Sequence, residues 1–157
     1  LISKEHYKKI EYYSSLAVEE GGTLLTGGIP CVPKDLKNGN WISPIIVEGL
    51  SHESRCSTEE IFGPIVTLHK FKEESNLIKM VNNTRYGLAG SIWTGDVERG
   101  RKLAESIETG MIWINTWLHR DLRVPFGGVK DSGVGREGGR WSLGFFSEPM
   151  NICIKHE

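Results

Sequence analysis

The sequence predicts an α/β fold, a mostly parallel sheet with crossover helices, and three observations carry that expectation. Between residues 65 and 115 the periodicity alternates strand, helix, strand, helix, strand, the order in which parallel strands are joined by helices. Met111–Asn115 (Met-Ile-Trp-Ile-Asn) is a near-continuous apolar run, expected of a strand buried on both faces. Nineteen of the 157 residues are Gly, about 12% against an average near 7%. They cluster at Gly21-Gly22, Gly27-Gly28, Gly127-Gly128 and from Gly133 to Gly139, which points to tight turns rather than a flexible linker.

Taken in order, residues 3–20 read as an amphipathic helix with Ser3 as its cap, Ile10, Tyr13, Ala17 and Val18 near one face and Gly21-Gly22 at its end. Residues 23–26 suit a short strand. Residues 29–40, with Pro30, Pro33, Asn38 and Gly39, have the composition of a loop. Residues 41–47 read as extended, with Pro44 demoting them to an edge strand or an irregular segment. Residues 65–71 alternate as a strand, and 74–83 place Leu77, Ile78 and Val81 on one helical face. Residues 86–93 return as strand, Asp96 caps a helix over 97–109, and Gly110 falls where a C′ glycine is expected. Residues 116–136 have no period, and a loop of that length in a compact domain usually carries function. A short helix over 138–146 and a last strand over 151–155 complete the reading, which contains no internal repeat.

Composition narrows the function. Hydrophobic residues are 38% and charged residues 25% of the chain, a globular balance rather than a disordered one. No apolar run approaches the roughly 20 residues that span a bilayer, so no membrane partner is expected. Nineteen Lys and Arg against twenty Asp and Glu leave a net charge of −1, without the basic excess of a nucleic-acid binder. Three widely spaced cysteines (Cys31, Cys56, Cys153) with no C-x-x-C argue for a reducing, cytoplasmic setting rather than a disulfide or zinc framework. The chain starts at Leu1, with no charged n-region and apolar h-region to follow. It is therefore expected to be a piece of a longer protein.

Gly133-Val134-Gly135-Arg136-Glu137-Gly138 matches G-x-G-x-x-G letter for letter. A dinucleotide fingerprint needs that turn directly after a buried strand, within a βαβ unit of about 30 residues. Here a polar Gly-Lys-Asp-Ser segment precedes it and only about 20 residues follow, so the match is a decoy.

More specific are Glu59-Glu60-Ile61-Phe62-Gly63-Pro64 and the stretch Pro125-Phe126-Gly127-Gly128-Val129-Lys130-Asp131-Ser132-Gly133-Val134-Gly135-Arg136-Glu137. Tyr86-Gly87-Leu88 and Trp113-Ile114-Asn115 lie between them. In this order they resemble the C-terminal part of the NAD(P)-dependent aldehyde dehydrogenase superfamily, over essentially the whole chain from Glu5 to Lys155. The resemblance implies that residues 1–147 are the C-terminal portion of a catalytic domain and 148–157 an oligomerisation tail, whose strand joins subunits of a homo-oligomer.

It also implies site roles. Glu60 would bind the nicotinamide ribose of NAD, since a carboxylate accepts from both hydroxyls of a vicinal pair; Phe62 would pack beside the nicotinamide, and Lys9 matches a family Lys that reaches the same ribose. His6 stands where the family often has Gln, and no role is carried onto it. In the loop Asn115–Phe126, Trp117, Leu118 and Phe126 would wall the aldehyde entrance. Arg120 stands near positions that are uncharged in most members. Because a desolvated guanidinium needs a partner, Arg120 suits a substrate carboxylate. The Trp-Leu-x-Arg-Asp-Leu string resembles the branch acting on 2-aminomuconic or 2-hydroxymuconic semialdehyde. Alternatives are a structural pairing of Arg120 with Asp121 or another subunit, within a betaine- or retinal-type dehydrogenase, and a non-catalytic assembly module. Arg123 reads as structural, His119 as loop lining, and Arg136 with Glu137 as an ion pair at the Gly-rich turn.

Family chemistry runs by attack of a Cys thiolate on the aldehyde, hydride transfer to the nicotinamide and thioester hydrolysis aided by a Glu base. Cys56, beside Arg55, is the best local nucleophile, but the resemblance puts the nucleophile, the base and the oxyanion Asn upstream of Leu1. No catalytic residue and no metal ligand is assigned, and the chain alone is expected to be inactive.

Overall fold

The computed structural model describes residues 1–28 and 39–156. The chain divides into two compact units, Leu1–Thr84 and Arg85–Glu157, a division inside the segment read from sequence as one catalytic portion. Most of the loop expected at 29–40, Cys31 included, lies outside the described residues.

The first unit opens with α1 (Lys4–Glu19), whose Ser3 side chain accepts a hydrogen bond from the backbone N–H of His6, satisfying one of the free donors of the first turn. Gly21, with φ +88°, ends the helix as expected. Strand β1 (Thr23–Thr26) pairs antiparallel with β2 (Ile45–Glu48). A short helical turn, α2 (Arg55–Thr58), precedes β3 (Ile65–Leu68), which runs parallel to β2. The sheet order β1-β2-β3 makes β2 central, which corrects the edge assignment drawn from Pro44. Pro44 sits one residue before the strand, so it removes no ladder donor, and the Ile45 N–H reaches the Pro64 carbonyl at 2.8 Å. Ile10, Tyr13, Leu16 and Ala17 of α1 pack with Ile45 and Val47 of β2, Leu50, Cys56 of α2 and Ile61 as the buried core. Helix α3 (Glu74–Asn82) follows; of its expected apolar face, Leu77 and Ile78 are half-buried and Val81 is exposed.

In the second unit the strand expected over 86–93 is broken at Leu88. Its first part, β4 (Tyr86–Gly87), belongs to an antiparallel pair with a strand from far down the chain, while β5 (Ala89–Ile92) leads into α4 (Val97–Glu105) and β6 (Met111–Ile114). β5 and β6 are parallel neighbours joined by α4, the crossover unit that the alternating pattern anticipated. Asp96 caps α4 through the Arg99 N–H at 3.0 Å. The helix stops at Glu105, four residues short of expectation, so Gly110 is no C′ residue. It lies beside β6, its N–H bonded to the Gly87 carbonyl at 3.1 Å. β6 is half-buried rather than buried on both faces. The partner of β4 is β7 (Val129–Lys130), followed by α5 (Gly139–Phe145). The α/β class holds, with two parallel ladders (β2–β3 and β5–β6) and two antiparallel ones (β1–β2 and β4–β7). Residues 151–155 form no ladder, since a strand exists only against an edge and no described edge of this chain meets them.

Candidate functional site: a helix-backed turn and an arginine-lined pocket

In the first unit, one face of α1 holds the Glu59–Pro64 turn. His6, Lys9, Ile10 and Tyr13 are spaced i, i+3, i+4 and i+7, so they share that face. His6 Nε2 donates to the Phe62 carbonyl at 2.7 Å, and Lys9 Nζ donates to the Glu60 carbonyl at 3.1 Å. Tyr13 Oη donates to Glu59 Oε2 at 2.6 Å. Gly63 sits against Ile10 so closely that a Cβ there would strike the Ile10 side chain. Four positions on one face of the helix therefore set four positions of the turn.

Glu59 is the structural acid of the pair. Arg55 donates to it through Nε at 2.8 Å and Nη2 at 3.1 Å. The Arg55 and then the Tyr13 hydrogen bonds hold the Glu59 carboxyl below its ordinary range, while the Glu59 bond, then burial, pushes the Tyr13 phenol up to about 12. Glu60 projects into solvent. Phe62 is 74% exposed and adopts φ +60°, a left-handed conformation that costs a residue with a Cβ about 1–2 kcal/mol. An exposed aromatic held in that conformation, next to an exposed carboxylate, suits a sugar with vicinal hydroxyls and a flat ring beside it.

Cys56 is buried, and burial, followed by its contact with Glu20, raises its thiol to about 12. Such a thiol is inert at neutral pH, in keeping with its exclusion as nucleophile.

In the second unit, residues 110–142 enclose a pocket of about 490 Å³, its wall including Met111, Trp113, Arg120, Leu122, Phe126 and Glu137. The loop reaching it is fastened at two points, by Trp113 Nε1 to the His119 carbonyl at 2.9 Å and by Ser91 Oγ to the Thr116 carbonyl at 2.8 Å. The Arg120 guanidinium carbon stacks 4.1 Å from the Phe126 ring centroid, and its Nη2 lies 3.6 Å from Glu137 Oε1. No hydrogen bond to Arg120 occurs among the described residues.

The structural pairing considered for Arg120 thus exists, but with Glu137 rather than Asp121. Asp121 is engaged by Arg123 through Nε at 2.8 Å, which holds the Asp121 carboxyl low. The Arg136–Glu137 pair expected from sequence is corrected as well, because adjacent residues diverge across an extended backbone. Arg136 Nη1 donates to the Gly128 and Gly135 carbonyls at 2.8 and 2.6 Å, while the Glu137 and Phe126 backbones exchange two 2.8 Å hydrogen bonds.

Arg120 and Phe126 therefore line one pocket. Trp117 packs edge-on against Trp113 with centroids 5.2 Å apart, and Leu118 is exposed with φ +54°; neither is on the pocket wall. Sequence reading gave no place on the pocket wall to Trp113, Leu122 or Glu137, and no role to His6. Only for His6 was a signal present, its helical spacing with Lys9, Ile10 and Tyr13. Among the described residues no helix is long and apolar enough to cross a membrane.

Comparison with known proteins is consistent with this geometry. Over residues 1–152 the chain matches the model of the aldehyde dehydrogenase family. It is 47% identical over 156 residues to a 2-aminomuconic 6-semialdehyde dehydrogenase of Pseudomonas sp, covering 99% of this chain and 32% of that protein. It is 40% identical over 159 residues to the 2-aminomuconic semialdehyde dehydrogenase of Homo sapiens, covering 99% of this chain and 33% of that protein. A crystal structure of betaine aldehyde dehydrogenase from Staphylococcus aureus in complex with NAD+ superposes with a TM-score of 0.88 at 36% identity, covering 93% of this chain and 29% of the other. The chain thus spans about a third of the length of the curated relatives it matches. Motif order, fold and family model agree, and the chain belongs to the aldehyde dehydrogenase family.

Proposed function

We propose that the chain is the cofactor-gripping and entrance-forming segment of a cytoplasmic, homo-oligomeric NAD-dependent dehydrogenase that oxidises an acidic semialdehyde to a carboxylate. The observation that carries the substrate class is Arg120. Its side chain is partly desolvated on the wall of the 490 Å³ pocket, stacked on Phe126 and loosely countered by Glu137. Its planar fork of donors is left for a planar acceptor, and a carboxylate remote from the aldehyde group meets that geometry. The naming of the 40–47% identical relatives as muconic semialdehyde dehydrogenases supports this reading over a betaine-type one.

Glu60 and Phe62 fit the nicotinamide nucleoside, the one by its exposed carboxylate and the other by its exposed, conformationally fixed ring. The NAD+ in the Staphylococcus aureus relative supports that choice of cofactor. When bound, the nicotinamide supplies the acceptor for the hydride that leaves the substrate. Glu60 accepts hydrogen bonds from the ribose hydroxyls, Lys9 closes on the same sugar, and Phe62 limits the tilt of the ring. Phe126 on the pocket wall, with Trp117 and Leu118 from the same loop, excludes water from the approach. The nucleophilic cysteine and the general base belong to parts of the enzyme other than this chain. Residues 148–157 serve subunit assembly by offering an extended segment to a neighbouring edge.

In the full-length dehydrogenase carrying this chain, Arg120→Ala should cost about 1.5–3 kcal/mol in kcat/KM toward an acidic semialdehyde, the scale of a hydrogen bond to a charged group. A neutral aldehyde should be much less affected. Equal losses on both substrates would sink the carboxylate role.

A further inference from the structure

We propose that His6 is a positioning residue for the cofactor. By bonding the Phe62 carbonyl from the face of α1, it holds Phe62 in its left-handed conformation and so presents the Phe62 ring and the Glu60 carboxylate together. The inference rests on the cofactor reading above and extends it to a residue that would not itself touch the nucleotide.

The geometry carries the argument. Phe62 gains nothing from burial, being largely solvent-exposed, so its positive φ must be enforced by the backbone around it. Two side chains of α1 engage that backbone directly, His6 at the Phe62 carbonyl (2.7 Å) and Lys9 at the Glu60 carbonyl (3.1 Å). On the far side, Gly63 is pressed against Ile10, a core residue with no exposed surface. The turn cannot slide along the helix without breaking one of these three contacts. His6 holds the end that matters most, because its bond is made to the residue with the strained torsion. A carbonyl only accepts, so Nε2 carries the proton in this bond.

His6 is also replaceable in a way that permits a clean test. A glutamine amide can donate to the same carbonyl, whereas alanine cannot. In the full-length dehydrogenase, His6→Ala should weaken NAD+ binding about 3- to 10-fold, as read by titration of intrinsic fluorescence. That is the range expected for the loss of one net hydrogen bond. The same substitution should accelerate amide hydrogen exchange at residues 60–63 of the nucleotide-free protein, with the rest of α1 unchanged. His6→Gln should restore both readings to within about twofold of the unsubstituted protein.

Three results would overturn the proposal. NAD+ affinity could be unchanged in His6→Ala. His6→Gln could be as impaired as His6→Ala, which would mean that the imidazole itself meets the nucleotide or only fills space. Exchange could quicken with no change in affinity, leaving a clamp that positions nothing. If the unsubstituted protein fails to bind NAD+, the cofactor reading falls, and the exchange data separately report whether the clamp exists.

Discussion

The Arg120 guanidinium carbon lies 4.1 Å from the centroid of the Phe126 ring, and the two residues share one pocket wall. Phe126 is itself fixed, because its backbone exchanges two hydrogen bonds with Glu137, whose carboxylate is the other neighbour of Arg120. Ring and counter-charge thus come from paired backbone positions, and together they hold the guanidinium without consuming its hydrogen-bond donors.

This arrangement predicts the effect of Phe126→Leu. The apolar wall survives, but the ring face is lost, along with a cation–π contribution of about 0.5–1 kcal/mol at a partly exposed site. Steady-state kinetics on the full-length dehydrogenase should show KM for an acidic semialdehyde rising about 2- to 5-fold, with a smaller change for a neutral aldehyde of similar length. A matched rise on both would reduce Phe126 to a wall residue.

Much of this was legible in the sequence where the information is local. Ser3 and Asp96 were read as caps because a short polar side chain ahead of an apolar period has few other uses, and both accept the expected N–H. The β5–α4–β6 crossover followed from alternating periods. What local pattern could not supply was pairing at a distance. The break at Leu88 arises because β4 pairs with Val129–Lys130, some 40 residues on. Glu137 pairs with Arg120 and not with its neighbour Arg136 because an extended backbone sends adjacent side chains to opposite sides. His6 carries no motif letter of its own, and its bond spans 56 residues. Its partner is a carbonyl, which leaves no trace in composition.

The Tyr13–Glu59 hydrogen bond makes stability depend on pH at both extremes. The Tyr13 phenol is raised to about 12, so the bond contributes fully below the ordinary phenol range near 10 and is lost as pH climbs toward 12. The Glu59 carboxyl is lowered, so its contribution is present above the ordinary Glu range near 4.3 and fades as the solution is acidified below it. Tyr13→Phe should lower stability by about 1 kcal/mol at pH 7 and flatten the decline between pH 10 and 12. Thermal melts of the two proteins across that range test it, and parallel curves would exclude the bond as the cause.

Cys56 should resist chemical labelling. Its side chain is buried and its thiol is raised to about 12, leaving on the order of one thiolate in ten thousand at pH 8. Under native conditions iodoacetamide should modify the exposed Cys153 well before Cys56, which should react only after denaturant is added. Peptide mass analysis over a labelling time course distinguishes the two sites. Early modification of Cys56 would mean that α2 opens readily and that the core around it is not closed.

Gly110 tests the packing of the second unit more severely than any side chain there. A Cβ at this position would land on the Gly127 carbonyl oxygen and crowd the Gly128 Cα. Neither atom can swing away like a side chain, since both belong to backbone adjoining the Phe126–Glu137 bridge and β7. The Gly110 N–H is committed to the Gly87 carbonyl, so Gly110 cannot retreat without breaking that bond. Gly110→Ala should therefore destabilise the protein by about 3 kcal/mol, at or beyond the upper end of ordinary overpacking. Gly95→Ala is the control, because a Cβ there meets nothing within 4 Å and no positive φ is required; it should shift stability by no more than about 0.5 kcal/mol. Denaturant titrations of the two variants decide the matter. Equal midpoints would show that the close approach of Gly110 to Gly127 is not maintained in solution, and the pocket that Gly110 helps to line would then not keep this shape.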